Sequence, residues 1–153
     1  WDQSHSENNI RYTFMECRHR SGRGLSDHMK TLWGAFVIET EKQKIYFAGD
    51  TGYDDHFKKA ANRFGSFDLS LLPIGAYEPR WFMQDPHVNP AEAVQAHIDL
   101  KSKFSMGIHF ATFQLTYETI DQPIIDLQNA LQTKGLSPDN FLVPQFGQSF
   151  HVP

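Results

Sequence analysis

Strands separated by single helices predict an α/β layer for this chain of 153 residues. Three stretches carry that prediction: two strand-like runs around Thr40-Glu41-Lys42-Gln43, the nearly continuous apolar run Phe67 to Ile74, and the helix start Asn89-Pro90-Ala91-Glu92. A long unbroken apolar run is what a strand covered on both faces needs. With no repeat, low-complexity tract or linker, a single domain over 1–153 is the working division.

The elements follow in order. Ile10 to Arg18 has the mix of a strand and is broken by Ser21-Gly22-Arg23-Gly24. Thr31 to Glu39 and Lys44 to Ala48 form the expected hairpin. After Asp54 as N-cap, Phe57, Ala60, Ala61 and Phe64 make the i, i+3, i+4, i+7 stripe of a helix lying on a sheet, and Gly65 ends it. Phe67 to Ile74 is the next strand, closed by Gly75. Asn89 as cap, Pro90 at the first helical position and Glu92 completing a capping box start a helix that runs to about Lys101. Phe104 to Phe110 follows as a strand. Pro123 to Lys134 is a helix stopped by Gly135, and Phe141 to Pro144 with Ser149 to Val152 offers a terminal strand pair.

Composition narrows the class. A hydrophobic fraction of 40%, 14% of the chain being aromatic, is enough for a real core. A net charge of -4 with scattered basic residues argues against a nucleic-acid partner. No stretch approaches the roughly 18 apolar residues of a membrane span, and no secretory signal is visible in the polar first residues. The single cysteine, Cys17, excludes an internal disulfide and fits a reducing compartment. A start at Trp1 and a polar stretch from Asp2 to Asn9 are the expected marks of a chain cut from a longer polypeptide.

In α/β layers, chemistry collects at strand ends. Three of them carry ligand-type side chains: His19 after the first strand, Asp50 after Lys44 to Ala48, and His109 after Phe104-Ser105-Met106-Gly107-Ile108. Imidazole nitrogen plus carboxylate oxygen suits zinc-like cations, and a carboxylate can bridge a metal pair. The residues alone also allow plainer roles. Asp50 before Thr51-Gly52 is a common turn carboxylate, His109 can be a hydrogen-bonded core histidine, and His19 stands among Arg18, Arg20 and Arg23. Cys17 reads as a buried inert thiol and His97 as a packing residue, while His5, His28, His56 and His151 carry no signal. The loop Gly75-Ala76-Tyr77-Glu78-Pro79-Arg80-Trp81-Phe82-Met83 mixes an arginine, an acid and large aromatics, which suits an anionic head group beside an apolar tail, or else a loop folded on its own core. His87, just before the capped helix, can reach the same opening.

Phe47-Ala48-Gly49-Asp50-Thr51-Gly52-Tyr53, Leu72-Pro73-Ile74-Gly75-Ala76-Tyr77-Glu78-Pro79-Arg80-Trp81-Phe82-Met83 and His87-Val88-Asn89-Pro90-Ala91-Glu92-Ala93 resemble the N-acylphosphatidylethanolamine-hydrolysing phospholipase D family of the metallo-β-lactamase superfamily. His19-Arg20-Ser21-Gly22-Arg23-Gly24-Leu25 and Leu32-Trp33-Gly34 are similar to its segment around a metal-binding histidine, and the likeness runs from about Cys17 to the C-terminus. The resemblance implies the C-terminal half of an αββα sandwich, a mixed sheet with covering helices. It implies two zinc ions in the full-length protein, His19 and His109 each serving one and Asp50 bridging them. A metal-activated water would attack a phospholipid-like phosphodiester, with Asp50 and His87 in the chemistry and Tyr77, Glu78, Arg80, Trp81, Phe82 and His87 as substrate contacts. The superfamily's His-x-His-x-Asp-His cluster belongs upstream of His19, where Trp1 to Arg18 holds only His5. The expectation is therefore an inactive isolated chain whose partner is the N-terminal half, with self-association through a bare sheet face. Its expected place is cytoplasmic, with peripheral membrane contact allowed. A metal-dependent lactonase or ester hydrolase of the same fold, and a non-catalytic scaffold, are the rival readings.

Overall fold

The computed structural model describes residues 1–152. One seven-stranded sheet runs in the order of the chain: β1 (Ser4–Glu7), β2 (Ile10–Met15), β3 (Ala35–Glu39), β4 (Lys44–Phe47), β5 (Leu69–Pro73), β6 (Phe104–Ile108) and β7 (Phe141–Leu142). β1 to β4 pair antiparallel, β1 with β2 and β3 with β4 through short turns and β2 with β3 across the long segment 16–34. From β4 onward the pairing is parallel, because each return passes through a helix. The helices are α1 (His56–Phe64), a short turn α2 (Arg80–Met83), α3 (Pro90–Asp99) and α4 (Gln122–Lys134).

Register divides the sheet into two unlike faces. Thr13, Val37, Tyr46, Ser70, Ser105 and Phe141 are aligned across neighbouring strands, and all are buried. Phe57 and Ala60 of α1, Ala93 and Val94 of α3, and Leu127 and Leu131 of α4 join that row in one core. Two of its buried hydroxyls are paired, Ser70 with Ser102 at 2.6 Å and Ser105 with His97 at 2.9 Å, whereas the Tyr46 hydroxyl is buried without a hydrogen-bond partner among the described residues. One residue along each strand, the opposite row Phe14, Phe36, Phe47, Leu71, Met106 and Leu142 is half-buried or exposed. That second face is apolar yet has none of α1, α3 and α4 against it.

Helix ends follow from local chemistry. The Asn89 side chain accepts from the Glu92 N–H at 2.8 Å while the Glu92 carboxylate accepts from the Asn89 N–H at 3.0 Å, the reciprocal capping box. Gly135 closes α4 in the left-handed region at φ 67. At α1, however, the N-cap is Asp55, and Asp54 accepts only from the Asp55 N–H.

Other boundaries differ for physical reasons. β1 has every residue exposed, so no alternation marks it in the sequence. β2 stops at Met15 because the chain leaves the sheet and pairs Arg18 with Gly52 instead. Ser149 to Val152 forms no strand. That segment crosses the second face, where Phe150 and Val152 border a 200 Å³ cavity with Leu69 and Met106, and the Val152 carbonyl accepts from Gln43 Nε2 at 2.8 Å.

Two measurements check this layering. Leu72→Ala, on the helix-covered face, is expected to lose about 2–5 kcal/mol in denaturant unfolding, whereas Phe36→Ala on the other face loses less than about 1 kcal/mol. The second concerns His56, buried against the Phe57 ring with centroids 4.0 Å apart, where burial pushes its pKa from 6.5 down to about 4. The unfolded chain therefore takes up the proton first as pH falls. Stability is intact above 6.5 and is lost on the way to about 4, by on the order of 3 kcal/mol at 1.36 kcal/mol per unit. His56→Gln should flatten that acid-side slope.

Candidate metal centre

Four ligand-type side chains meet at the end of the sheet where the parallel strands leave it. Around Asp50, His87 Nδ1 lies 2.8 Å from Oδ1, while His19 Nε2 and His109 Nε2 lie 3.3 and 3.5 Å from Oδ2. The His19 and His87 rings stand perpendicular with centroids 5.5 Å apart, and His87 and His109 lie nearly parallel at the same spacing. His19, Asp50 and His87 each offer one donor atom within 4.8 Å of the others.

Local chain geometry explains the convergence. After β4, Gly49 adopts φ 66 and turns Asp50 out of the strand line. The fully buried Thr51 then acts as a joint. Its hydroxyl accepts from the Arg18 N–H at 3.0 Å and its carbonyl from the Val88 N–H at 2.8 Å, while the Gly52 N–H donates to the Arg18 carbonyl at 2.7 Å. The neighbours of His19 and His87 are thus tied to the neighbour of Asp50. Gly52 must lack a side chain, since a Cβ there would sit 2.0 Å from the Asp85 carbonyl oxygen. His109 arrives from β6 with φ 58, unusual for a non-glycine residue, and a Cβ on Gly75 would meet its carbonyl oxygen at 2.4 Å.

The electrostatics suit a cation. Burial pushes the Asp50 carboxyl up, but contacts with His19 and His87 and the nearby His109 outweigh it and hold the group well below the usual carboxylate range. The bond to Asp50 in turn raises His19. His19 Nδ1–H donates to the Arg20 carbonyl at 2.8 Å, which leaves Nε2 as the free donor facing Asp50. Asp50 Oδ1 and His87 Nδ1 are both buried and, although 2.8 Å apart, are not aligned as a hydrogen bond. Two buried donor atoms side by side that lack hydrogen-bond alignment fit a metal ion, and the nitrogen-and-oxygen donor set is that of zinc-like cations.

Beside the cluster opens a 570 Å³ cavity. Glu78, Trp81 and Phe82 form one wall, Leu115 and Tyr117 the other, and Arg20 stands at the rim. Trp81 is 79% exposed and Tyr117 82%.

Two residues expected at the substrate lie elsewhere. Tyr77 is buried, and its hydroxyl donates to Asp126 on α4 at 2.5 Å. The Arg80 guanidinium donates to both Glu92 oxygens, at 3.1 and 2.9 Å, and to the His87 carbonyl at 2.9 Å. Arg80 therefore braces the His87 loop against the start of α3 and does not line the cavity. Leu115 and Tyr117 carry no sequence signal, because the stretch after His109 has no periodicity, and Arg20 enters the sequence reading only as a neighbour of His19. The closeness of His87 to Asp50 had one: the capped start at Asn89 anchors that loop beside the strand ends.

A family model described as the beta-lactamase superfamily domain matches residues 1–110. The chain is 39% identical over 137 residues to N-acyl-phosphatidylethanolamine-hydrolyzing phospholipase D 1 of Caenorhabditis elegans, covering 88% of this chain and 38% of that protein. It is 37% identical over 134 residues to the mitochondrial N-acyl-phosphatidylethanolamine-hydrolyzing phospholipase D of Saccharomyces cerevisiae, covering 86% of this chain and 28% of that one. The chain thus spans well under half the length of these curated relatives. Among solved structures, a possible metal-dependent hydrolase from Veillonella parvula superposes with TM-score 0.72 at 15% identity, over 95% of this chain and 55% of that one. That likeness shows the fold.

The Thr51 joint generates a direct test. Thr51→Val removes the acceptor for the Arg18 N–H and should weaken zinc or cobalt binding by about 10–100-fold in calorimetry, as loss of a ligand-orienting contact does. Thr51→Ser keeps the oxygen and should bind like the parent.

Proposed function

The chain belongs to the beta-lactamase superfamily domain family, and from that membership we propose that it is the ligand-bearing part of a metal-dependent hydrolase that cleaves phosphodiesters of N-acylphosphatidylethanolamine-like lipids. The observation that carries the reading is the buried, unaligned pair Asp50 Oδ1 and His87 Nδ1 beside a cavity with aromatic walls and a basic rim. The activities by which the two curated relatives are named support the substrate class.

His19, Asp50, His87 and His109 would hold the metal, with the Asp50 carboxylate at the centre of the three imidazoles. Zinc bound there would supply Lewis acidity and would lower the pKa of a water toward neutrality. The chain's own residues do the rest. Arg20 attracts the phosphate at the rim. Trp81, Phe82, Leu115 and Tyr117 take up apolar chains and exclude water from the cluster. Their exposure also suits peripheral contact with a lipid surface. No helix of the described residues is long and apolar enough to cross a membrane.

The ligand count shapes what the chain does alone. A tetrahedral zinc takes three or four protein ligands, and four side chains are too few to hold two ions well. The apolar second face of the sheet would pack on the other half of an αββα sandwich, and that half would bring the His-x-His-x-Asp-His ligands.

Two outcomes are expected. In the protein carrying that cluster, Asp50→Ala should abolish phosphodiester turnover and leave the far-ultraviolet circular dichroism unchanged; a variant that keeps most of its turnover would reduce Asp50 to a turn residue. The 153-residue chain alone should bind zinc weakly in metal analysis and hydrolyse neither an N-acylphosphatidylethanolamine nor a lactone. Turnover of the lactone in preference to the phosphodiester by the complete protein would instead assign an ester hydrolase.

A further inference from the structure

The second wall of the cavity is held in an unusual way. The segment 111–119 between β6 and α4 has no regular structure, and Phe113, Leu115 and Tyr117 on it are 74%, 68% and 82% exposed. Apolar packing is therefore not what fixes it.

Its anchor is one carboxylate. Glu118 Oε1 accepts from the Ala76 N–H at 2.8 Å, the Tyr77 N–H at 3.3 Å and the Thr116 hydroxyl at 2.6 Å, and Oε2 accepts from the Glu78 N–H at 3.0 Å. Ala76 adopts φ 62, which turns three successive N–H groups inward and makes an anion-binding concavity at the end of β5. Burial by itself pushes the Glu118 carboxyl up, but the Thr116 hydroxyl and the main-chain donors outweigh it and keep it below its usual value. Among the described residues, only one other hydrogen bond ties 111–118 to the loop after β5: the Tyr117 N–H to the Glu78 carbonyl at 3.4 Å.

The two segments joined this way are the two cavity walls. Glu78, Trp81 and Phe82 follow the Ala76 turn, and Leu115 and Tyr117 precede Glu118. Glu118 itself does not line the cavity.

We propose that Glu118 is a positioning residue that clamps the loop after β5 to the segment before α4, and so sets the width of the cavity and its selectivity for anionic amphiphiles over small anions. The selectivity half rests on the reading of the cavity given above; the clamp half does not. The clamp is a set of charge-assisted hydrogen bonds, so a side chain of equal volume without charge cannot replace it. In Glu118→Gln one oxygen becomes a donor, which leaves at least one of the three main-chain N–H groups without an acceptor.

The test uses the 153-residue chain with Glu118→Ala and Glu118→Gln. Hydrogen exchange at the Ala76, Tyr77 and Glu78 amides should quicken by about tenfold or more in Glu118→Ala, and added acetate should slow it again by occupying the vacated concavity. Calorimetry should show dodecyl phosphate binding the parent more tightly than inorganic phosphate does. Both variants should lose about tenfold for dodecyl phosphate and nothing for inorganic phosphate. Unchanged amide exchange in Glu118→Ala would overturn the clamp. A parent that distinguishes the two phosphates, with Glu118→Gln distinguishing them equally well, would overturn the selectivity role. A parent that does not distinguish them would sink the amphiphile reading of the cavity, and amide exchange would still decide the clamp.

Discussion

Thr51 joins three segments that are remote in the chain, and the candidate centre depends on that joint. Its hydroxyl takes the Arg18 N–H, and its carbonyl takes the Val88 N–H. Because the residue is fully buried, each of those bonds is costly to leave unmade. His19, Asp50 and His87 are thereby held as neighbours of one rigid point. The Arg80 brace on the His87 carbonyl and the close approach of Gly52 to Asp85 fix the third segment more firmly.

The sheet sets where the joint can form. Antiparallel pairing sets β3 between β2 and β4, and the switch to parallel pairing places the ends of β4, β5 and β6 along one edge. Asp50, the loop carrying Glu78 to Phe82, and His109 all leave the sheet there. This is the edge at which open α/β sheets collect ligands. One face of the same sheet is sealed by α1, α3 and α4, so the site rests on a packed core.

Charge balance separates holding roles from binding roles among the polar residues. Arg80 is spent on Glu92 and the His87 carbonyl, and Tyr77 on Asp126, so both stabilise the frame. Arg20 stands at the cavity rim, where a phosphate could reach it. Asp50 keeps its charge despite burial because three imidazoles surround it, and that arrangement is stable only if a proton or a cation is shared among them.

Local chemistry made much of the chain legible from its residues. The Asn89 to Glu92 capping box, the Gly135 stop, the stripe from Phe57 to Phe64 and the apolar run of β5 are contained within short windows, and the structure has them. Resemblance, added to strand-end placement, drew attention to His19, Asp50 and His109. The sequence could not show β1, whose residues are all exposed, or the course of the last residues over the second face. Nor could it separate Arg80 from Arg20, since both are arginines near apolar residues in loops. What each guanidinium does depends on partners distant in the chain or on a cavity that exists only after folding. The same holds for Glu118, whose neighbours in sequence say nothing of the three N–H groups about forty residues away that it satisfies. Periodicity and capping are written in adjacent residues; ligand convergence is decided by main-chain hydrogen bonds between segments that only the tertiary fold brings together.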